Sequence, residues 1–401
     1  MIPDEAKSIP LTAWAEVDLD AVRANLRLVR RLIPRGTKVL LTLKADAYGL
    51  GAKAVAQVAA AEAVDMLGVA TLHEGIELRQ AGLSTPVLIL SPSLPEEAGE
   101  IIRHELRATV GTIDLARALA RAAAAAGRRA IVHVEVDTGM GRAGVSVADA
   151  PEFLDALVAA GGVELEGLYT HFPVSNDGDL EFTLGQADQF AALVARLRDR
   201  GMRIPIAHAA NSAALINAPS AHFDMVRPGI LVYGFKPFVP MPDGVEIRPA
   251  MSLKTRVLQV RAFAPGDTVS YGRTFSAPRP SRIAVLGIGY GHGYSRLLSN
   301  RGSVIVRGRR APIVGRVTMD MTMADVTDLP EVAAGDEVVL FGKQGDAEIS
   351  LEELAAWQET INYEVTCGIG RRVARLYIRD GSGAWLRTMV GEGPPGALPA
   401  R

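Results

Sequence analysis

Ile131-Val-His-Val-Glu-Val-Asp-Thr-Gly-Met-Gly-Arg142 alternates along an extended run and then breaks into a glycine-rich turn. Successive side chains of a strand point to opposite faces. Val132, Val134 and Val136 therefore share one face, and His133, Glu135 and Asp137 the other. An apolar outer face laid against helices leaves the polar face pointing into a barrel. The turn that follows delivers Arg142, a guanidinium suited to bidentate capture of a carboxylate. Taken alone, Arg142 reads as a loop salt bridge.

Outward from that strand, residues 36 to 235 alternate short apolar runs with amphipathic ones. Candidate strands are 39–44, 67–70, 87–90, 107–109, 131–136, 165–170, 204–207 and 224–227. Candidate helices between them include 52–64, 73–81, 113–125, 150–159 and 186–199. This alternation predicts an α/β fold, a parallel (β/α)8 TIM-type barrel over residues 12–243. An open doubly wound sheet is the alternative. The pattern changes near 237–249. Segments 253–263, 282–288, 303–306, 313–326 and 336–341, with one helix at 351–357, predict a mostly β C-terminal domain over 244–388. Residues 389–401, rich in glycine and proline, are expected to be a disordered tail.

Composition narrows the classes of function. The 401 residues, 48% of them hydrophobic, suffice for two cores. Lysine and arginine total 43 against 45 acidic residues, whereas a nucleic-acid binder is normally basic. The single cysteine, Cys367, excludes an intrachain disulfide and fits a reducing compartment. The opening Met1-Ile-Pro-Asp-Glu-Ala-Lys7 has no apolar signal core, and no apolar run is long enough to span a bilayer. The expectation is a cytoplasmic protein with no metal and no nucleic-acid or membrane partner.

In a (β/α)8 barrel, chemistry sits where strands end and loops begin. Lys44 closes the first candidate strand and His171 the sixth. Asn211 and Ser212 follow the seventh, and Arg227 and Gly229 the eighth. Each alone is an ordinary loop residue; together on one rim they mark a site. The loops after strands seven and eight are the usual phosphate site of this fold. Ser212 is placed to cap a helix at 212–217 whose free N–H groups face an anion. Gly229, lacking a Cβ, lets the backbone approach a phosphate. The combination suggests a phosphorylated ligand. Gly287-Ile-Gly-Tyr-Gly-His-Gly293 looks like a dinucleotide loop, but His292 occupies the place of the third glycine and no helical pattern follows.

These motifs resemble those of the alanine racemase family. The resemblance is carried by Leu43-Lys-Ala-Asp-Ala-Tyr-Gly49, Val136-Asp-Thr-Gly-Met-Gly-Arg142, Thr170-His-Phe172, Ala210-Asn-Ser212 and Val226-Arg-Pro-Gly229. It continues in Ser270-Tyr-Gly272, Gly289-Tyr290, Gly315-Arg-Val-Thr-Met-Asp320 and Asn362-Tyr-Glu364. They stand in the family's order and cover nearly the whole chain. The resemblance implies a homodimer with shared active sites that interconverts L- and D-alanine, supplying D-alanine for cell-wall peptidoglycan. It implies that Lys44 holds pyridoxal phosphate as a Schiff base. It places Tyr48, Ser212, Gly229, Ile230 and Tyr363 at the phosphate, Arg227 at the pyridine nitrogen, and His171 and Asn211 beside the cofactor. Tyr271 would reach in from the partner subunit. Met319 would offer a backbone N–H to the substrate carboxylate beside Arg142, with Glu135 and Asp320 in support.

The implied chemistry suits those residue types. Racemisation removes a proton from one face of Cα and delivers one to the other, roles that fall to Lys44 and Tyr271. Lysine and tyrosine have reference pKa values of about 10, and an acid or base works best when matched to the working pH. Arg227, never readily deprotonated, makes the ring a weaker electron sink and disfavours transamination. Three positions depart from the family pattern. Glu135 stands where many members carry a carbamylated lysine, and its carboxylate is placed to orient Arg142. Asn176 stands where an aspartate is common at the substrate entrance, and His292 replaces the usual aspartate after Gly289-Tyr-Gly291. The alternatives are a broader amino-acid racemase acting on serine or a basic amino acid, a decarboxylase of the same architecture with a carboxylate in place of Arg227, and a non-catalytic pyridoxal-phosphate protein built from the barrel alone.

Overall fold

A computed structural model describes residues 11–176, 178–238 and 240–393. The strands in chain order begin with β1 (Ala13–Asp18), β2 (Lys38–Thr42), β3 (Met66–Val69), β4 (Val87–Pro92) and β5 (Arg107–Val110). They continue with β6 (Ala130–Asp137), β7 (Val145–Ser146), β8 (Val163–Tyr169), β9 (Ile206–His208) and β10 (Met225–Val226). Strands β2 through β6 pair in sequence, β6 pairs β8, and β8, β9 and β10 lead back to β2, every pair parallel. The ring is closed, so the barrel expectation holds and the open doubly wound sheet does not. Closure leaves no sheet edge exposed, and the intervening helices cover the outer faces.

The alternation read in the sequence decides what fills the ring. Val132, Val134 and Val136 are fully buried in the large core between strands and helices. Inside the barrel, Leu40, Met66, Leu88, Ile206 and Met225 form a separate apolar plug. Burying each such side chain stabilises the fold by about 1.5–3 kcal/mol. At the strands' C-terminal ends the lumen turns polar, with His208, Tyr169 and Arg227 all buried. The polar groups thus gather above the plug, and the site opens at the top.

The second domain consists of β11 (Met251–Phe263), β12 (Thr268–Val269), β13 (Phe275–Ser276), β14 (Ser281–Leu286), β15 (Ser303–Val306) and β16 (Arg309–Pro312). It continues through β17 (Thr322–Asp325), β18 (Glu337–Gln344), β19 (Ala347–Ile349), β20 (Ala374–Arg379), β21 (Ser382–Thr388) and β22 (Gly391–Gly393). Three expectations are corrected here. The barrel unit expected from residue 12 does not include β1, which lies between β11 and β20 in the second sheet. The single strand expected over 313–326 shrinks to β17, because Gly315 turns the backbone at φ 73° and the segment after it loops out. The tail expected to be disordered from 389 is ordered to residue 393, where β22 pairs with β21; residues 394–401 lie outside the described residues. After Gly287 come the short 3-10 turns Tyr290–His292 and Arg296–Leu298 rather than an α-helix.

Candidate active site

Lys44 stands two residues beyond β2 rather than closing it, at the start of an unusual turn. Ala45, Asp46, Ala47 and Tyr48 all have φ between 53° and 56°, a left-handed helical turn without a glycine. Left-handed backbone costs an L-residue roughly 1–2 kcal/mol, so neighbours must hold it. The Glu74 carboxylate accepts the Ala45 N–H at 2.7 Å. The Asp46 carboxylate accepts the Ala52 N–H at 2.7 Å and two bonds from Arg387. Gly49, at φ 87°, packs so closely that a Cβ there would overlap the Thr366 carbonyl oxygen. The turn points Lys44 and Tyr48 into one cavity.

That cavity, about 570 Å³, opens at the C-terminal end of the barrel strands. Of the residues singled out in the sequence, Lys44, Tyr48, Glu135, Arg142, His171, Asn211, Ser212, Arg227, Gly229, Ile230 and Tyr363 line it. Asn176 lines it as well. Burial pushes the Lys44 amine below its usual value, and the positive charges of Arg142 and Arg227 push the same way. Near one wall the Tyr48 ring lies 5.1 Å from Tyr233 and 5.9 Å from Tyr363. The Ser212 hydroxyl oxygen accepts N–H bonds from Gly229 at 2.9 Å and Leu231 at 3.4 Å. A Cβ on Gly229 would come within 2.8 Å of the Tyr48 hydroxyl. The helix Ser212–Asn217 is capped by Asn211, whose side-chain Oδ1 accepts N–H bonds from Ala213 and Ala214. The cap expected of Ser212 therefore belongs to its neighbour, and Ser212 turns toward Gly229.

Arg227 is buried and saturated on one side. It donates to the Thr170 and Ala209 carbonyls at 2.7 and 2.9 Å, to His171 Nδ1 at 3.2 Å and to His208 Nδ1 at 3.0 Å. It also lies 5.1 Å over the Tyr169 ring. Burial lowers its pKa to about 10, still well above neutrality, so it stays a cation. Because guanidinium only donates, His171 Nδ1 accepts and a neutral His171 carries its proton on Nε2. Glu135 is buried and its carboxyl is held above the usual range by that burial, against the pull of Arg227 and Arg142. Its hydrogen-bond partner is the Tyr169 hydroxyl at 3.5 Å. The Glu135–Arg142 contact expected from the sequence is through space only; Arg142 is exposed.

Of the second-domain residues singled out for the site in the sequence, Tyr363 alone lines the cavity; Tyr271, Met319, Asp320 and His292 are elsewhere in the single chain. Tyr271 is 73% exposed on a 3-10 turn. Ser270 before it has φ 65° and ψ −175°, a region nearly reserved for glycine, and its hydroxyl donates to the Arg316 carbonyl at 2.7 Å. That strained turn thrusts Tyr271 outward, beside a groove shared with Met321 and Met323. Met319 is exposed, and its backbone N–H has no partner among the described residues. Asp320 pairs with Arg372 at 2.7 Å. His292 is buried and accepts the Gly289 N–H at 3.2 Å, so it braces a turn and is not at the cavity entrance. The sequence reading missed Glu74, Tyr169, His208 and Cys367 at or beneath the cavity. Only Glu74 carried a local signal, a capping box with Thr71.

Comparison with known proteins gives one answer for both domains. The family model for the alanine racemase N-terminal domain matches residues 17–237, and that for the C-terminal domain matches 250–377. An alanine racemase of Halothermothrix orenii is 42% identical over 371 residues, covering 92% of this chain and 98% of the relative. One from Symbiobacterium thermophilum is 44% identical over 364 residues, covering 91% and 96%. The solved structure of alanine racemase from Clostridium difficile 630 superposes with a TM-score of 0.90 at 35% identity, covering 95% of this chain and 99% of that one. The alanine racemase of Bacillus anthracis with bound L-Ala-P superposes with a TM-score of 0.88 at 34% identity, covering 94% and 98%. By both domains, and over nearly its full length, this chain belongs to the alanine racemase family.

Proposed function

We propose that this chain interconverts L- and D-alanine with pyridoxal phosphate, in an active site completed by Tyr271 of the partner subunit. The observation that carries the reading is the convergence of Lys44, Arg227, Gly229 and Arg142 on one cavity. The family is pyridoxal-phosphate dependent, and the residues present suit that cofactor. A half-buried amine with a lowered pKa is a better nucleophile toward an aldehyde. Gly229 and Ser212 offer a cradle for a phosphate that a Cβ would fill. Arg227 offers a fixed cation to a ring nitrogen. When bound, pyridoxal phosphate withdraws electrons from the substrate Cα.

The chain's own groups do the rest. Arg142 holds the substrate carboxylate at the cavity mouth. Lys44 takes or returns the Cα proton on one face. Tyr271 of the partner subunit serves the opposite face, its exposure and strained turn supporting a role outside its own chain. His171, with its Nε2–H directed away from Arg227, is a donor for that tyrosine's oxygen. Arg227 hydrogen-bonds without surrendering a proton. The exposed free thiol of Cys367 accords with the cytoplasmic setting that belongs to this proposal.

The test is a chiral product assay of the purified protein, reconstituted with pyridoxal phosphate and offered L-alanine, L-serine and L-lysine separately. D-Alanine should form fastest by at least tenfold. Faster turnover of serine or lysine would move the assignment to a broader racemase.

A further inference from the structure

Beneath Arg227 a row of polar side chains descends through the barrel. Arg227 Nη1 donates to His208 Nδ1 at 3.0 Å. Guanidinium has no acceptor, so that imidazole nitrogen is bare and a neutral His208 carries its proton on Nε2. His208 Nε2 lies 2.9 Å from His133 Nδ1, which must then accept. His133 in turn carries its proton on Nε2, 3.0 Å from Glu166 Oε2. Arg107 grips the same carboxylate with Nε at 2.5 Å and Nη2 at 3.1 Å. Every donor in the row points from Arg227 toward Glu166. Burial keeps both imidazoles below the usual histidine range, hence neutral. Burial alone would raise the Glu166 carboxyl, but hydrogen bonds from His133 and Arg107 outweigh it and hold it at about 2.

Two local features make room for this row. Val132 pairs with Leu165 and His133 with Gly167, so Glu166 is an extra residue bulged out of the β6–β8 ladder. A bulge re-aims a side chain, and here it brings Glu166 to His133. At Gly167 a Cβ would overlap His133 Nδ1, so only glycine admits the imidazole.

We propose that Glu166 is a positioning residue of the reaction, fixing through His133 and His208 which lone pair meets Arg227 and so holding the guanidinium against the cofactor ring. The proposal rests on the placement of Arg227 at the ring nitrogen. Without the carboxylate the tautomer order is held from one end only, by Arg227, and the exchanged order loses its penalty at the other. A flipped His208 would turn an N–H on Arg227, donor against donor, in a low-dielectric interior where such a clash is strong.

The test is side-chain nitrogen NMR of the 15N-histidine-labelled holoenzyme and apoprotein, beside steady-state kinetics. His133 and His208 should both be neutral Nε2–H tautomers from about pH 7 to 9. In Glu166→Leu the tautomers should mix, kcat should fall about tenfold, KM for alanine should stay within about twofold, and the cofactor's visible band should shift. A wild-type His133 or His208 that is cationic, or protonated on Nδ1, overturns the row whether or not the leucine variant folds. Glu166→Gln keeps an acceptor oxygen, so its tautomer order and its kcat must be kept together or lost together; a split between them overturns the coupling. An Arg227→Lys variant with an unchanged cofactor band would overturn the placement of Arg227, and the positioning role with it, while leaving the tautomer order intact.

Discussion

Arg387 on the C-terminal hairpin grips both carboxylate oxygens of Asp46, at 2.5 and 3.1 Å, and so ties the second domain to the left-handed turn that presents Lys44. The pair is largely shielded, with side chains 22% and 36% exposed. Hydrogen bonds to charged groups are worth about 1.5–3 kcal/mol. Arg387→Met should therefore release the turn and raise the Kd for pyridoxal phosphate about tenfold, with a fall of a few degrees in Tm. Cofactor titration followed by absorbance measures this; an unchanged Kd would show that the turn holds its shape without the clamp.

Gly229 makes a second, sterically defined prediction. A methyl group at this position would approach the Tyr48 hydroxyl to 2.8 Å, which leaves no room for alanine. Gly229→Ala should lose at least tenfold in cofactor affinity while keeping its circular dichroism spectrum. The clash should also lower the single variant's Tm, and adding Tyr48→Phe, which removes the clashing oxygen, should recover it. If the single variant binds cofactor normally, the cradle lies elsewhere.

The sequence's legibility divides along a physical line. Periodicity is local, so the barrel strands are readable within about two residues; 131–136 is observed as Ala130–Asp137. Strand β1 is not readable, because its partners β11 and β20 lie far along the chain. The left-handed turn is hidden because Lys44-Ala-Asp-Ala-Tyr48 contains no glycine to announce it. Asn211 and Ser212 are both good capping residues, and only the fold shows which one caps. Alternation puts His133 on the inward face, but its link to His208 and Glu166 depends on a bulge that no spacing rule gives. The places of Lys44, Arg227 and Gly229 follow from strand ends; that of Tyr271 does not, since nothing local says where it points.

Glu135 offers a test by pH and by carbonate. Burial raises its carboxyl pKa, so its charge is present above that raised value and lost as pH falls through it, at a higher pH than for an ordinary carboxylate. KM for alanine should rise on the acid side in the wild type and stay flat in Glu135→Gln over the same range. Glu135→Lys should regain activity when bicarbonate is supplied, through a lysine carbamate, and Glu135→Ala should not. Normal KM in Glu135→Ala, or strong bicarbonate activation of the wild type, would remove Glu135 from the account.

Lys44 should leave a signature in the stability of the apoprotein. Its folded-state pKa lies below the ordinary lysine value of 10.5. Between the two values the unfolded chain binds more protons than the folded one, so stability rises with pH across that window. Below it, the buried charge is a standing destabilisation. Lys44→Met should raise the apoprotein's Tm at neutral pH by a few degrees and lose the advantage above about pH 10.5. Equal Tm values for both proteins from about pH 7 to 11 would mean that Lys44 is solvated in the apoprotein.

Proton exchange in deuterated water tests the two-base account most directly. Wild-type protein with pyridoxal phosphate, given L- or D-alanine alone, should place deuterium at Cα of both enantiomers while interconverting them. In Tyr271→Phe, racemisation should fall by at least 100-fold, yet one enantiomer should still exchange its Cα proton with solvent at a substantial rate, because Lys44 still serves one face. Equal residual exchange of both enantiomers, or undiminished racemisation, would contradict the assignment of Lys44 and Tyr271 to opposite faces of the substrate.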